Sequence, residues 1–330
     1  MQIYNLDSKM SYSEKNQKKS EIPKSLYENI SQKIWIDQVL KYNQFLKNRQ
    51  FLSPYTIRNY LTDLIDFFKF LNNSSIKSIN DLNKNHIREY MRWLSMSNVS
   101  RKSISRKLSS LKTFFSYLEE HNEIFHNPAE MVKPPKQDKK LPRIENTQDI
   151  SKMMQKNSFL SSKMQLRNIA IIEVLYASGI RVSELTSLSI EDVDLKSGEI
   201  KVTGKGNKER IVLIGKDAIK AIKEYIEFER RNNSKSNYLF LNKTGEPIST
   251  RSIQRIVKKH SQIAGLHEDF HTHTLRHSFA THMLDGGADI KVVQELLGHS
   301  SPTTTQIYTH ISKEKMREIY NSSHPRSKKI

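Results

Sequence analysis

Residues 199–214 read EIKVTGKGNKERIVLI, and this stretch decides the fold class. Glu199–Val202 and Arg210–Ile214 are short runs rich in branched side chains. They are joined by TGKGNKE, a Gly-, Lys- and Asn-rich tip, so the pattern predicts an antiparallel hairpin. Most of the remaining chain has the three- and four-residue apolar spacing of helices. The expected fold is therefore mainly α with a small antiparallel β-sheet. The Gly-x-Gly at the tip lacks the Walker spacing and the Ser or Thr that follows it, which argues against nucleotide binding.

Just upstream of the hairpin, Ile169–Tyr176 is nearly all apolar, which predicts a buried helix stopped by Gly179. RVSELTSL then resumes a helical period with Arg181 at its start. Downstream, helices are expected near 216–230, 250–264, 275–285, 290–297 and 304–319. The first half of the chain reads as a compact bundle of four amphipathic helices. Trp35, Val39, Tyr42 and Leu46 mark the first, and Ile57, Tyr60, Leu61, Leu64, Phe68 and Leu71 the second. Ser53-Pro54 is an entry signal for that second helix. A third lies near His86–Leu94, and Ile104, Leu108, Leu111, Phe115 and Leu118 form the stripe of the fourth.

At 330 residues the chain exceeds the usual size of one domain. The reading divides it into a flexible N-terminal extension (1–31), a helical domain (32–132), a basic Pro-containing linker (133–145) and a mixed domain (146–330). KPPKQDKKLPR in the linker is either a plain spacer or a basic strap laid across a nucleic acid. With 54 Lys and Arg against 35 Asp and Glu, the net charge of +19 favours a polyanion, a nucleic acid or an anionic membrane surface. A solvated Lys-rich surface is the bland alternative. In the bundle, Arg58, Arg101, Lys102, Arg106, Lys107 and Lys112 either grip a DNA backbone or form such a face. No stretch approaches the ~20 apolar residues of a spanning helix, and the N-terminus has no apolar signal core, so no membrane insertion is expected. The absence of cysteine excludes disulfides, thiolate catalysis and Cys-based zinc sites.

The stretch richest in chemistry is His273–Tyr308, HTLRHSFATHMLDGGADIKVVQELLGHSSPTTTQIY. His273 and Arg276, three apart, share a helix face. Leu275, Phe279 and Met283 mark the core side. Arg181, beside an apolar helix pair, is either neutralised by a carboxylate such as Glu184 or held for an anionic ligand. Two such arginines suit the non-bridging oxygens of one phosphate, because each guanidinium makes bidentate, charge-assisted pairs. The histidines 271, 273, 277 and 282 invite a metal reading. However, Thr274 stands where the zinc hydrolase motif has Glu, and no acidic residue completes an obvious third ligand. Tyr308, one of 13 tyrosines, would by itself be an apolar contact on a C-terminal helix.

Taken together, ASGIRVSEL, GKGNKER, HTLRHSFATHML, LLGHS and TTTQIYTH resemble the tyrosine recombinase (phage integrase) family, with the nearest likeness to its Xer branch. The likeness runs from the helical first half to SHPRSKK and leaves only the N-terminal extension unexplained. One departure is Leu213, where the family strand commonly has proline. The resemblance implies a SAM-like core-binding domain followed by a mixed α/β catalytic domain. It also implies a role for each matching residue. Arg181 and Arg276 clamp the scissile phosphate, and Lys205 protonates the departing 5′ oxygen. His273 assists proton transfer, His299 hydrogen-bonds the phosphate, and Tyr308 is the nucleophile that becomes a 3′-phosphotyrosine.

The implied activity is site-specific cutting and rejoining of DNA through a Holliday junction, in a tetramer on two DNA sites. That tetramer would be made of this chain alone or with a second Xer recombinase, and a DNA translocase is a further implied partner. The implied role is chromosome dimer resolution at cell division, in the cytoplasm on the nucleoid. The rivals are a mobile-element integrase or resolvase, and a catalytically silent DNA-binding protein on the same fold. Charge built on the phosphate oxygens during attack calls for preorganised cations, and two arginines and a lysine supply them, so neither metal nor other cofactor is expected.

Overall fold

The computed structural model describes residues 30, 33–49, 52–72, 74, 76, 78–136, 145–155, 164–204, 208–230, 236–298 and 312–327. They fall into two compact units, 1–140 and 141–330. The helices α1 (Lys33–Asn48), α2 (Pro54–Leu71), α3 (Lys84–Met96) and α4 (Arg101–Glu120) make up the first unit, with a 3₁₀ turn at Ile79–Asp81. The four helices expected from spacing are all present. Ser53 caps α2 by accepting a hydrogen bond from the Thr56 amide at 3.1 Å, with Pro54 opening the helix, as the Ser-Pro signal predicts. Their shared core is aromatic. Trp35 stacks on Phe68 with ring centroids 5.0 Å apart, and Tyr42, Phe67, Tyr90, Phe114 and Phe115 are completely buried around them.

The proposed basic grip needs correction at Lys107. This lysine is buried, bonded to Asp63 at 3.2 Å and to Asp66 at 2.6 Å. It therefore clips α4 to α2 and does not face solvent. Lys112 donates to the Glu130 carbonyl at 2.7 Å, while Arg58, Lys102 and Arg106 are exposed.

The second unit is built around α6 (Gln165–Ser178), preceded by the short α5 (Thr147–Lys152). Every residue of α6 from Ile169 to Ser178 is buried, as its nearly all-apolar run predicts. Gly179 closes it in the left-handed conformation at φ 61°, donating its amide to the Leu175 carbonyl at 3.1 Å. A Cβ there would also lie 2.5 Å from Phe279 and 2.9 Å from Leu297, so both backbone and space require glycine. The chain continues through α7 (Val182–Ser187) to a sheet of β1 (Val193–Asp194), β2 (Glu199–Thr203) and β3 (Glu209–Leu213). All pairing is antiparallel in the order β1-β2-β3, with Thr203 opposite Glu209 and Glu199 opposite Leu213. The hairpin agrees with its sequence pattern; β1, only two residues long, does not carry enough alternation to be read in advance.

After the sheet come α8 (Lys216–Glu224), which continues as a π-helical turn at Tyr225–Arg230, and α9 (Thr250–Ile263). They are followed by α10 (Thr272–Asp285), α11 (Ile290–Leu297) and α12 (Lys313–Ser323). Phe279 and Met283 from α10 share a core with Val292, Val293, Leu296 and Leu297 from α11, Tyr320 from α12, and Leu213. Leu213, the family's proline position, thus becomes a core residue at the end of β3. The expected helix at 304–319 requires correction: Ser312 has extended backbone, φ −63° and ψ 151°, and its side chain caps α12 by accepting from the Lys315 amide. A helix therefore starts at Lys313 and cannot run unbroken through Ser312. Residues 304–311 lie outside the described ones. Among the described residues, no helix is long and apolar enough to cross a membrane.

Candidate active site

Gly179 ends α6 beside the start of α7, and this turn sets the position of Arg181. Arg181 is the N-cap of α7, with Glu184 in that helix's first turn. The Glu184 carboxylate accepts from the Arg181 amide at 2.7 Å and from its guanidinium at 3.0 Å. Of the two alternatives for Arg181, pairing with Glu184 is met. It has a carboxylate partner, yet its side chain remains 41% exposed.

Glu184 is itself almost fully enclosed and takes two further hydrogen bonds, from Arg210 Nη1 at 2.9 Å and Nη2 at 3.0 Å. Arg210 lies on β3, 26 residues away. Burial pushes the Glu184 carboxyl up. The hydrogen bonds from Arg210 and the Arg181 amide, with the attraction of Arg210, outweigh burial and hold it below the usual carboxylate range.

Arg276 reaches the same place from α10. Its guanidinium donates to the Gly179 carbonyl at 2.5 Å and to the Leu297 carbonyl at 2.7 Å. Among the described residues it donates to no carboxylate. Burial, followed by repulsion from Arg181 and Arg210 that Glu184 only partly offsets, brings it down to about 10. It is therefore charged at neutral pH, but at a cost. Three guanidiniums thus gather around one carboxylate, leaving a net charge of +2 among these four described side chains (three positive, one negative). Such an arrangement suits an anion with several oxygens, and a phosphodiester fits.

His273 sits in the first turn of α10, exposed, with its ring centroid 5.8 Å from that of His271. It is one turn from Arg276, as the three-residue spacing predicts. Two of the other histidines in the cluster have structural partners. His271 caps α10 by accepting from the Thr274 amide at 3.1 Å. Buried His282 links the Tyr176 hydroxyl at 2.8 Å to the Glu145 carbonyl at 2.9 Å.

Lys205, His299 and Tyr308 lie outside the described residues, but the residues next to two of them border the cluster. A Cβ on Gly204 would be 3.6 Å from Arg210 Nη1 and 3.7 Å from Glu184 Oε1. A Cβ on Gly298, which has φ 65°, would be 2.8 Å from Arg210 Nε. Beyond Tyr308, α12 is tied to the end of α6 by the Tyr320 hydroxyl, which donates to the Ala177 carbonyl at 2.9 Å. Arg210 is the residue that sequence reading missed. Its only local signal was a cation opening an otherwise apolar strand.

Comparison with known proteins shows the family. Residues 144–315 match the Phage integrase family, and residues 39–122 match the phage integrase N-terminal SAM-like domain. Tyrosine recombinase XerC of Natranaerobius thermophilus is 40% identical over 299 residues, covering 88% of this chain and 99% of the relative. Tyrosine recombinase XerD of Listeria innocua is 36% identical over 296 residues, covering 88% of this chain and 99% of the relative. In fold, the chain is similar to the XerH site-specific recombinase in its post-cleavage complex with palindromic difH substrate. The TM-score is 0.66 at 24% identity, with 93% of this chain and 92% of the other covered.

Proposed function

The chain belongs to the phage integrase family of tyrosine recombinases, and from that we propose how its own residues carry out site-specific recombination of DNA. Arg181 and Arg276 hold the non-bridging oxygens of the scissile phosphate. The Tyr308 hydroxyl attacks the phosphorus and gives up its proton with the help of His273, the bond to the 5′ oxygen breaks, and Lys205 delivers the proton that this oxygen needs. His299 hydrogen-bonds the phosphate. The 3′-phosphotyrosine conserves the phosphodiester bond energy, because water takes no part in the step. A 5′ hydroxyl from the other duplex then attacks the phosphotyrosine, releasing Tyr308 and joining the exchanged strand. Two such exchanges pass through a Holliday junction.

The observation that carries this reading is the charge imbalance at Glu184, with Arg276 held by main-chain carbonyls and repelled by Arg181. A phosphate supplies the missing negative charge. The domain roles follow: residues 32–132 bind DNA, 133–145 connect, 146–330 catalyse, and 1–31 form an extension. The working assembly is a tetramer on two DNA sites, of this chain alone or with a second Xer recombinase. Resolving chromosome dimers on the nucleoid, with a DNA translocase as activator, is the role that fits relatives named XerC and XerD.

The test starts from genomic fragments selected by the purified protein. The selected site is then nicked near the cleavage position, so that cleavage traps the covalent intermediate. The expected result is a protein–DNA adduct that Tyr308→Phe abolishes. No adduct on any selected site would overturn the proposal.

A further inference from the structure

Arg210 is not one of the six residues to which the resemblance assigns a role, yet it touches more of the candidate site than any of the three that are described. Its fork spans both oxygens of Glu184, and its Nε donates to the Leu296 carbonyl at 3.3 Å. A Cβ on Gly298, immediately before His299, would run into Arg210, and one on Gly204, immediately before Lys205, would meet it at 3.6 Å. One side chain on β3 therefore holds Glu184, the carboxylate partner of Arg181, and borders the residues that precede Lys205 and His299.

Without Arg210, Glu184 would compete with the substrate. A carboxylate buried beside two phosphate-binding arginines attracts the same guanidiniums that the phosphate requires. Arg181 is the more vulnerable, because it already gives Glu184 its amide and one guanidinium hydrogen bond. We propose, building on the function assigned above, that Arg210 is a positioning residue for strand cleavage: it occupies both oxygens of Glu184, so that Arg181 stays available to phosphate and the Gly298 turn stays fixed against β3. Removing Arg210 lowers the net charge of the described cluster from +2 to +1, since three cations and one carboxylate become two and one. It also leaves the Glu184 fork to Arg181. Lysine at 210 restores the charge without the planar fork.

The experiment measures single-turnover adduct formation on a nicked site at saturating protein, with DNA affinity measured separately. Arg210→Met should slow cleavage by about 100-fold, the scale for losing one preorganised electrostatic group, with little change in affinity. The double variant Arg210→Met/Glu184→Gln should recover at least about tenfold. Glutamine can still accept from the Arg181 amide but no longer carries the competing charge. A merely structural Arg210 gives no such rescue. Either an unimpaired Arg210→Met, or a loss that Glu184→Gln leaves untouched, would overturn the proposal. If Arg210→Met does not fold, Arg210→Lys with and without Glu184→Gln provides the same comparison. The wild-type chain and Tyr308→Phe are run alongside. No adduct from the wild type removes the underlying function, whereas a normal wild type with a fully active Arg210 variant removes only this inference.

Discussion

Two groups of charge, each centred on a buried carboxylate and one in each unit, use similar side chains to opposite ends. In the bundle, Asp63 is 1% exposed and accepts from Arg106, from Lys107 at 3.2 Å and from Ser110 at 2.8 Å. Lys107 also reaches Asp66 at 2.6 Å. Two cations meet two carboxylates among the described residues, and the group sums to zero. In the catalytic unit, Arg181, Arg210 and Arg276 meet Glu184, and the sum is +2. The first group closes its own charge and pins α4 to α2. The second leaves charge open. The depression of Arg276 to about 10 corresponds to roughly 3 kcal/mol held against folding. Buried ions therefore speak of stability where they balance, and of a ligand where they do not.

The deepest test of this difference is Arg276→Lys. It should cut single-turnover cleavage by about 10²–10³-fold, because an ammonium cannot reproduce the fork. Stability of the free protein in urea should change by less than about 1 kcal/mol, since lysine keeps the same charge and bears a similar cost of burial. Near-normal cleavage would show that charge alone suffices. Asp63→Ala should do the reverse: about 3 kcal/mol of stability lost in urea, with cleavage per folded molecule unchanged in the cold. If that variant lost cleavage as deeply as Arg276→Lys, the contrast between the two groups would fail.

A smaller effect sharpens the point. At constant ionic strength, inorganic phosphate at about ten times its Kd should stabilise the wild type and Asp63→Ala by about 1.4 kcal/mol. Arg276→Ala should show no such shift in thermal unfolding. The smallest effect is on pH. Because the Glu184 carboxyl is held below its ordinary value when folded, its stabilisation is present above the ordinary glutamate range. It is lost as pH falls through the folded value. The stability gap between wild type and Glu184→Gln should therefore close on acidification, and a gap that widened would contradict this assignment.

Periodicity made most of this architecture legible in advance, because helix and strand patterns are local. The stripe through Ile104, Leu108 and Leu111 and the run at Ile169–Tyr176 needed no tertiary knowledge. Arg181 and Arg276 could be singled out as charges beside apolar surface. What sequence could not supply was pairing across distance. Lys107 reads like its exposed neighbours until Asp63, 44 residues away, is found beside it. Arg210 reads as the start of a strand until Glu184 is seen between its nitrogens. The helix near 304–319 failed for a different reason. Ser312 is a weak helix former in isolation, and its capping geometry emerges only once α12 packs through Tyr320.

The way Arg276 is held bears on how this site can drift over generations. Its two described acceptors, the oxygens of Gly179 and Leu297, belong to peptide groups, and no codon change deletes a peptide oxygen. Position 297 can therefore sample other apolar residues without losing its grip on the arginine. Glu184 has no such freedom, because its acceptor atoms are on the side chain. Within one cluster, then, substitution at position 297 leaves one arginine's acceptor in place, while the other two depend on a single glutamate side chain.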